Sequence, residues 1–312
     1  MDTALAQINS GAVIAGMGRL QTLVAEKRRQ LSGRQWEQFI QSEVRTHPVL
    51  NVVHEDPFTY RAFSKPRGYA GDAVMMDYIY GYRTAEVDAL SERSRRVFNY
   101  TIHTAPPEAV RFRRRIVAEM IDTETVRLGR DIEVVAIAAG HLREADLSSA
   151  VRGGRARMTA LDQDEEGLAL VTRDYARYGV DAVATSVRRI IAGRTKLPAA
   201  DVSYTVGLYD YLPPAAAVRL TSIMFDALRP GGTLLVANFL PDILGIGYME
   251  SLMDWRLIYR SDKEMRHLIG AVPVGEIASV SQFHDPFDNI TFLRVSKAGG
   301  GRGVGTDDEP DE

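Results

Sequence analysis

The carboxylate of Asp162 follows the glycine turn at Gly140 at a spacing suited to one task. A carboxylate roughly 20 residues beyond a strand-ending glycine turn can bind both hydroxyls of a ribose. The surrounding stretch, Asp131 to Glu166, runs as apolar strand, glycine turn, helix, short strand and acidic turn. Its turn, Ala138-Ala139-Gly140-His141, holds one glycine. A pyrophosphate-binding turn needs G-x-G-x-x-G, because the backbone must approach the phosphates closely. A dinucleotide is therefore disfavoured, and a nucleoside ligand without phosphates stays compatible.

Two further stretches carry reactive side chains. Phe63 to Asp72 has no helical or strand period, and Arg67 and Asp72 flank Gly68 and Gly71. Glycines permit close backbone approach, and loops rich in mixed functional groups are disproportionately functional. Gly207-Leu208-Tyr209-Asp210-Tyr211 follows a predicted strand. Candidate general bases are His103, His141, Asp210 and Glu250, with no sharp constellation among them. The chain has no cysteine, which excludes disulfides, thiolate zinc sites and thiol nucleophiles. No metal site is expected.

These groups need an alternating scaffold. Ile132 to Ala138 is almost continuously apolar, as a strand buried on both faces should be. Further strands are predicted at Met158–Leu161, Val180–Thr185, Asp201–Val206, Thr233–Phe239, Ser279–His284 and Ile290–Ser296. Helices are predicted at His141–Val151, Glu165–Tyr178, Pro214–Leu228 and Tyr248–Tyr259. Strands alternating with helices predict a doubly wound sheet, and the late hairpin adds one antiparallel member.

Ahead of it, helices are predicted at Ala4–Ser32 (interrupted by glycines), Arg34–His47, Ala73–Ile79, Leu90–His103 and Glu108–Ile121. The basic run Arg111, Arg113, Arg114 and Arg115 reads as a solvated face. The expected division is a helical cap over 1–125, a core over 126–297 and a disordered acidic tail over 298–312.

Composition sets wider limits. Hydrophobic residues are 45% and charged residues 25%, so a sizeable core can form. The net charge of −3 argues against general nucleic-acid or membrane-surface binding. No run approaches the roughly 20 apolar residues of a membrane span. The first residues lack a basic segment ahead of their apolar ones, so a cytoplasmic protein without signal peptide is expected.

The pieces together resemble class I S-adenosylmethionine (SAM)-dependent methyltransferases. Ile137-Ala138-Ala139-Gly140-His141, Leu161-Asp162 and Leu228-Arg229-Pro230-Gly231-Gly232-Thr233 carry the likeness; the departure is the missing second glycine of the usual G-x-G. A narrower resemblance rests on Lys65-Pro66-Arg67-Gly68-Tyr69-Ala70-Gly71-Asp72, Gly140-His141-Leu142-Arg143-Glu144-Ala145, Gly207 to Leu212 and Asp254 to Arg260. These are similar to bacterial methyltransferases of extracellular-factor 3-hydroxypalmitic acid methyl ester biosynthesis. The resemblance implies a mostly parallel, seven-stranded Rossmann-like sheet and a fatty-acid carboxyl methyltransferase.

On this reading Asp162 and Gln163 bind the ribose end, Ala139, Gly140 and His141 the methionine end, and Ser186 and Val187 border adenine. Arg67, Tyr69 and Asp72 close over the amino-acid end. Gly207, Leu208 and Tyr209 complete the cofactor set. Tyr211, Asp210 and His141 are the catalytic candidates. Asn238, Phe239, Tyr248, Glu250, Trp255, Tyr259 and Arg260 form the acceptor pocket. A carboxylate acceptor, with a pKa of roughly 4, needs no general base. The partners expected are a small-molecule acceptor and a second copy through the N-terminal helices. The alternatives are N- or O-methylation of a natural-product scaffold and a SAM-binding regulator without catalysis.

Overall fold

The computed structural model describes residues 1–299, so most of the expected tail lies outside the described residues. Nine helices precede the sheet: α1 (Asp2–Asn9), α2 (Val13–Gln30), α3 (Gly33–Phe39), α4 (Val49–Val53), α5 (Pro57–Ser64), α6 (Ala73–Tyr80), α7 (Thr84–Asp88), α8 (Glu92–Ile102) and α9 (Ala105–Leu128). The expected first helix is broken at Gly11, whose φ of +89° suits a tight reversal. A Cβ at Gly16 would lie 2.6 Å from Ile8, so this glycine lets α1 and α2 pack closely. The expected helix after it stops short, passing from α3 into a π turn at Ile40–Val44. Helices α4 and α5 were not anticipated from the sequence. Pro48 precedes the first, and Asp56 caps the second by accepting the Phe58 N–H at 2.9 Å. Pro106 and Pro107 do not delay α9; they occupy its first turn, where no intrahelical N–H is required.

The sheet comprises β1 (Ile132–Ile137), β2 (Ala156–Asp162), β3 (Val180–Ala184), β4 (Ala200–Thr205), β5 (Leu228–Phe239), β6 (Ile277–His284) and β7 (Ile290–Lys297). Its order is β3-β2-β1-β4-β5-β7-β6. Only β7 runs antiparallel to its neighbours. The remaining helices are α10 (Ser149–Arg152), α11 (Glu165–Tyr175), α12 (Val187–Ile191), α13 (Pro214–Asp226), α14 (Ile246–Leu252) and α15 (Asp262–His267). The fold is thus α/β and doubly wound, the mostly parallel seven-stranded Rossmann-like arrangement expected.

Strand β1 shows why the apolar run is continuous. Val134 and Ala136 join one core with Met17, Val74 and Val117 from the N-terminal helices. Val135 and Ile137 join a second core with Leu220 and Phe225 of α13. Both faces are covered, so neither side of the strand can be polar. The strand order reverses between β1 and β4, and a crevice opens there beyond their carboxyl ends.

Two expected helices differ. His141–Val151 is not one helix. Leu142 takes a left-handed φ of +52°, Arg143–Asp146 forms a single 3-10 turn, and Ser148 caps the short α10. Asp122 on α9 accepts the Ser149 and Ala150 N–H groups at 3.0 and 2.9 Å, so that helix start is held from outside. Tyr248–Tyr259 also fails as one helix. It ends at Leu252, and Asp254, with φ of +48°, turns the chain into a segment without regular secondary structure. Arg256 and Arg260 therefore do not share a helical face.

Candidate active site

The turn after β1 alternates left-handed residues at Ala138, Gly140 and Leu142, with φ of +53°, +55° and +52°. Only the middle one is glycine. Left-handed backbone costs an L-residue about 1–2 kcal/mol, so the chain keeps the shape of a glycine-rich turn with Ala and Leu in strained positions. The Asp162 carboxylate holds this turn, accepting the Gly140 N–H at 2.8 Å and the Asp164 N–H at 2.9 Å. An ionised carboxylate offers about four lone-pair sites, so Asp162 keeps acceptor capacity toward the crevice it lines.

That crevice is a cleft of about 950 Å³. Its wall contains Ala139, Gly140, His141, Asp162, Gln163, Ser186, Val187, Gly207 and Leu208, all expected cofactor contacts. Ser186 caps α12, so the end of β3 presents a helix start there. At roughly 300–1,000 Å³ for a small-ligand site, this volume accommodates a nucleoside with room beside it. The acid, the close-approach turn and the β3 helix start fit an adenosine-bearing cofactor.

Of the loop residues expected at the cofactor, Arg67 and Tyr69 line the cleft and Asp72 does not. Arg67 pairs with Asp164 at 2.5 Å and Glu166 at 2.9 Å, just beyond β2. Tyr69 lines the cleft, and burial together with Asp162 and Asp164 raises its phenol well above the usual range. Asp72 is fully buried and outside the cleft wall. It caps α6 through the Met75 N–H and takes Arg61 at 2.6 Å, so it anchors the loop.

The segment after β4 forms the opposite wall. Asp210 accepts the Phe239 N–H at 2.8 Å, and burial pushes its carboxyl up to about 6. The Tyr211 hydroxyl accepts from the Trp255 indole at 2.7 Å. A Cβ on Gly71 would fall 2.5 Å from that hydroxyl, so Gly71 lets the loop close against this pair. Tyr209, expected at the cofactor, points away into the second core, where its hydroxyl meets Thr221 at 2.6 Å. His141 lines the cleft with its Nδ1 on Asp77 at 2.8 Å. Burial disfavours the Asp77 anion, but hydrogen bonds from His141 and Arg143 outweigh it and hold that carboxyl down at about 2.

The expected acceptor set divides. Phe239 and Trp255 stand in the cleft wall and also border an apolar seam lined by Phe58, Ile79, Val110, Tyr248, Met249 and Met253. The seam is closed down to about 30 Å³. Four others are structural or lie outside the wall. Glu250 accepts from Trp36 and Arg28, both at 2.7 Å, joining α14 to α2 and α3. Arg260 braces the carbonyls of Tyr209 and Leu212 and the Asn238 side chain, which is itself 1% exposed. The Tyr259 hydroxyl is buried without a partner among the described residues.

Sequence reading missed Arg113. Its helix face, with Val110 and Val117, lines the cleft, and only 7% of the residue is exposed. The expected solvated face is wrong for most of the run: Arg111 and Arg114 are half-buried and hydrogen-bonded, Arg114 also in the cleft wall, and only Arg115 is exposed. The spacing 110, 113, 117 is the signal that could have marked Arg113.

No family model matches this chain. No curated protein matches it. Among solved structures, a possible exported protein from Bordetella parapertussis is similar over 93% of this chain and 97% of that one, at 17% identity and a TM-score of 0.58. That likeness shows the fold, N-terminal helices included. Human N-acetylserotonin methyltransferase in complex with SAM is more distant, with 13% identity, a TM-score of 0.44, and 65% and 59% of the two chains covered. Magnesium protoporphyrin IX methyltransferase from Synechocystis PCC 6803 with bound SAH gives 13%, 0.45, 72% and 99%. Among the described residues, no helix is long and apolar enough to cross a membrane.

Proposed function

We propose that this chain is a SAM-dependent methyltransferase of small molecules, and that its acceptor is the carboxylate of a fatty or 3-hydroxy fatty acid. The observation that carries the reading is the cleft at the strand-order reversal, lined by the Asp162 carboxylate, with an apolar seam leading off beside Phe239 and Trp255. When bound, SAM supplies an electrophilic methyl group.

The protein's own task is then to bind, orient and exclude water. Asp162 accepts the ribose hydroxyls while still holding the turn at Gly140. Trp255, Tyr211 and Phe239 close the wall against solvent. An ionised acceptor carboxylate needs no proton removed, so no base is required. An acyl chain enters only by widening the seam between α9 and α14.

A second reading, methylation of a hydroxyl or amine on a scaffold, is favoured by Asp210. A carboxyl titrating at about 6 in the cleft wall is suited to a general base.

The test supplies methyl-labelled SAM with fatty acids, 3-hydroxy fatty acids and phenolic or amine scaffolds. Label that extracts into organic solvent and is released as methanol in mild base supports the carboxylate reading. Base-stable label moves the function to the scaffold reading. Binding of S-adenosylhomocysteine without any transfer would leave a non-catalytic regulator, and failure to bind it would overturn the cofactor assignment.

A further inference from the structure

Arg113 is a buried cation without a counter-ion. Among the described residues its guanidinium has only neutral hydrogen-bond partners, the Met76 sulfur at 3.8 Å, a weak acceptor, and the nearby Tyr80 hydroxyl. Neighbouring arginines are better served: Arg111 reaches Glu108 at 2.6 Å and Arg114 reaches the Arg143 carbonyl at 2.9 Å. Asp210 and Glu144 lie within the field of Arg113. Each is already engaged, Asp210 by the Phe239 N–H and Glu144 by the Tyr204 hydroxyl at 2.5 Å.

The guanidinium also faces open space. A Cβ on Gly207 would stand 3.6 Å from it, so it lies against the end of β4 where no side chain intervenes. Buried charges are ordinarily paired, and an arginine fork matches a carboxylate with two parallel hydrogen bonds. A partner for this one can arrive from the cleft.

We propose that Arg113 binds the carboxylate of a ligand in the cleft. Two ligands of the proposed reaction carry one: the cofactor, at its amino-acid end, and an acid acceptor. The identity of these ligands rests on the proposed function; the open guanidinium does not.

Calorimetric titration of the wild-type protein and R113M separates the sources. The probes are S-adenosylhomocysteine, 5′-methylthioadenosine, which lacks the amino-acid part, and octanoate added to protein saturated with S-adenosylhomocysteine. If the cofactor supplies the carboxylate, R113M weakens S-adenosylhomocysteine roughly 10–150-fold and leaves 5′-methylthioadenosine unchanged. If the acceptor supplies it, octanoate weakens by a similar factor and both nucleosides are unchanged. R113K should fall between, because it keeps the charge and loses the fork. Unchanged 5′-methylthioadenosine binding shows that the variant is folded. R113M that binds S-adenosylhomocysteine as tightly as wild type, with no Arg113-dependent octanoate binding, overturns the assignment. Wild-type protein that binds neither nucleoside overturns the cofactor reading instead, and octanoate, titrated then into the protein alone, still tests Arg113.

Discussion

The backbone N–H of Gly140 donates to the Asp162 carboxylate at 2.8 Å, so the turn ending β1 and the acid ending β2 are one construction. The acid proposed to hold a ribose also fixes the turn beside it. Asp162→Ala strands the Gly140 and Asp164 N–H groups. We expect it to cost about 1–3 kcal/mol of stability and to weaken 5′-methylthioadenosine at least tenfold. Chemical denaturation and calorimetry check the two effects. Loss of stability with unchanged nucleoside affinity would confine Asp162 to the structural role.

Ala138 sits in the left-handed region where glycine is unstrained. Ala138→Gly relieves that strain but adds unfolded-state entropy, so its stability should stay within roughly 1 kcal/mol of wild type. Ala138→Val, β-branched in the same conformation, should lose about 1–3 kcal/mol. Urea midpoints of the two variants give the comparison, and equal midpoints would mean that the turn relaxes.

Asp210 makes the pH dependence readable. Burial raises its carboxyl from 3.8 to about 6, so the folded state holds a proton that the unfolded state releases. Its stabilising contribution is full below about pH 4 and is lost as pH rises through 6, by on the order of 2–3 kcal/mol. Asp56, also raised by burial to about 6, adds a slope of the same sign. Asp77, held at about 2, acts oppositely and only below pH 4. Asp210→Asn should therefore flatten, without abolishing, the fall in stability between pH 4 and 6. Under the scaffold reading it should also cut turnover by roughly a hundredfold or more, whereas a carboxylate acceptor should be little affected.

Gly71→Ala tests the seating of the loop. The new methyl would meet the Tyr211 hydroxyl at 2.5 Å and Trp255 at 2.9 Å. Overpacking of this kind costs about 1–3 kcal/mol, and relief requires breaking the Trp255–Tyr211 hydrogen bond. A shift in Trp255 fluorescence, measured in a Trp36→Phe background, should accompany weaker acceptor binding. An unchanged spectrum would place the relief elsewhere.

Glu250 was expected at the acceptor and instead ties Trp36 and Arg28 to α14. Glu250→Ala should cost about 2 kcal/mol while leaving S-adenosylhomocysteine affinity and acceptor KM unchanged. A KM increase without loss of stability would return it to the acceptor site.

The legible part of the site is its set of strand ends. Gly140, Asp162, Ser186 and Gly207 all line the cleft. Gly140, Asp162 and Gly207 were legible because a buried strand announces its own end by the turn after an apolar run, and Ser186 because strands alternate with helices. In a doubly wound sheet those ends converge by topology alone. The same logic failed between β5 and β6. There Tyr259 and Arg260 leave the expected helix because Asp254 breaks it. Asn238, on β5, and Glu250, on α14, are taken up by partners the local pattern does not show, Arg260 for the first and Trp36 and Arg28 for the second.

The sequence by itself determined the alternation of strands and helices, the apolar central strands and the acid 22 residues after the turn, because these follow from local period and spacing, whereas the strand order is a matter of non-local pairing. Only the tertiary structure decided which charged groups are spent inside the protein and which remain open. Glu250 and Arg260 are satisfied by partners distant in sequence, whereas Arg113 meets a sulfur and a phenol hydroxyl but no carboxylate. Whether a buried charge is paired depends on contacts between distant segments, and no local pattern encodes them.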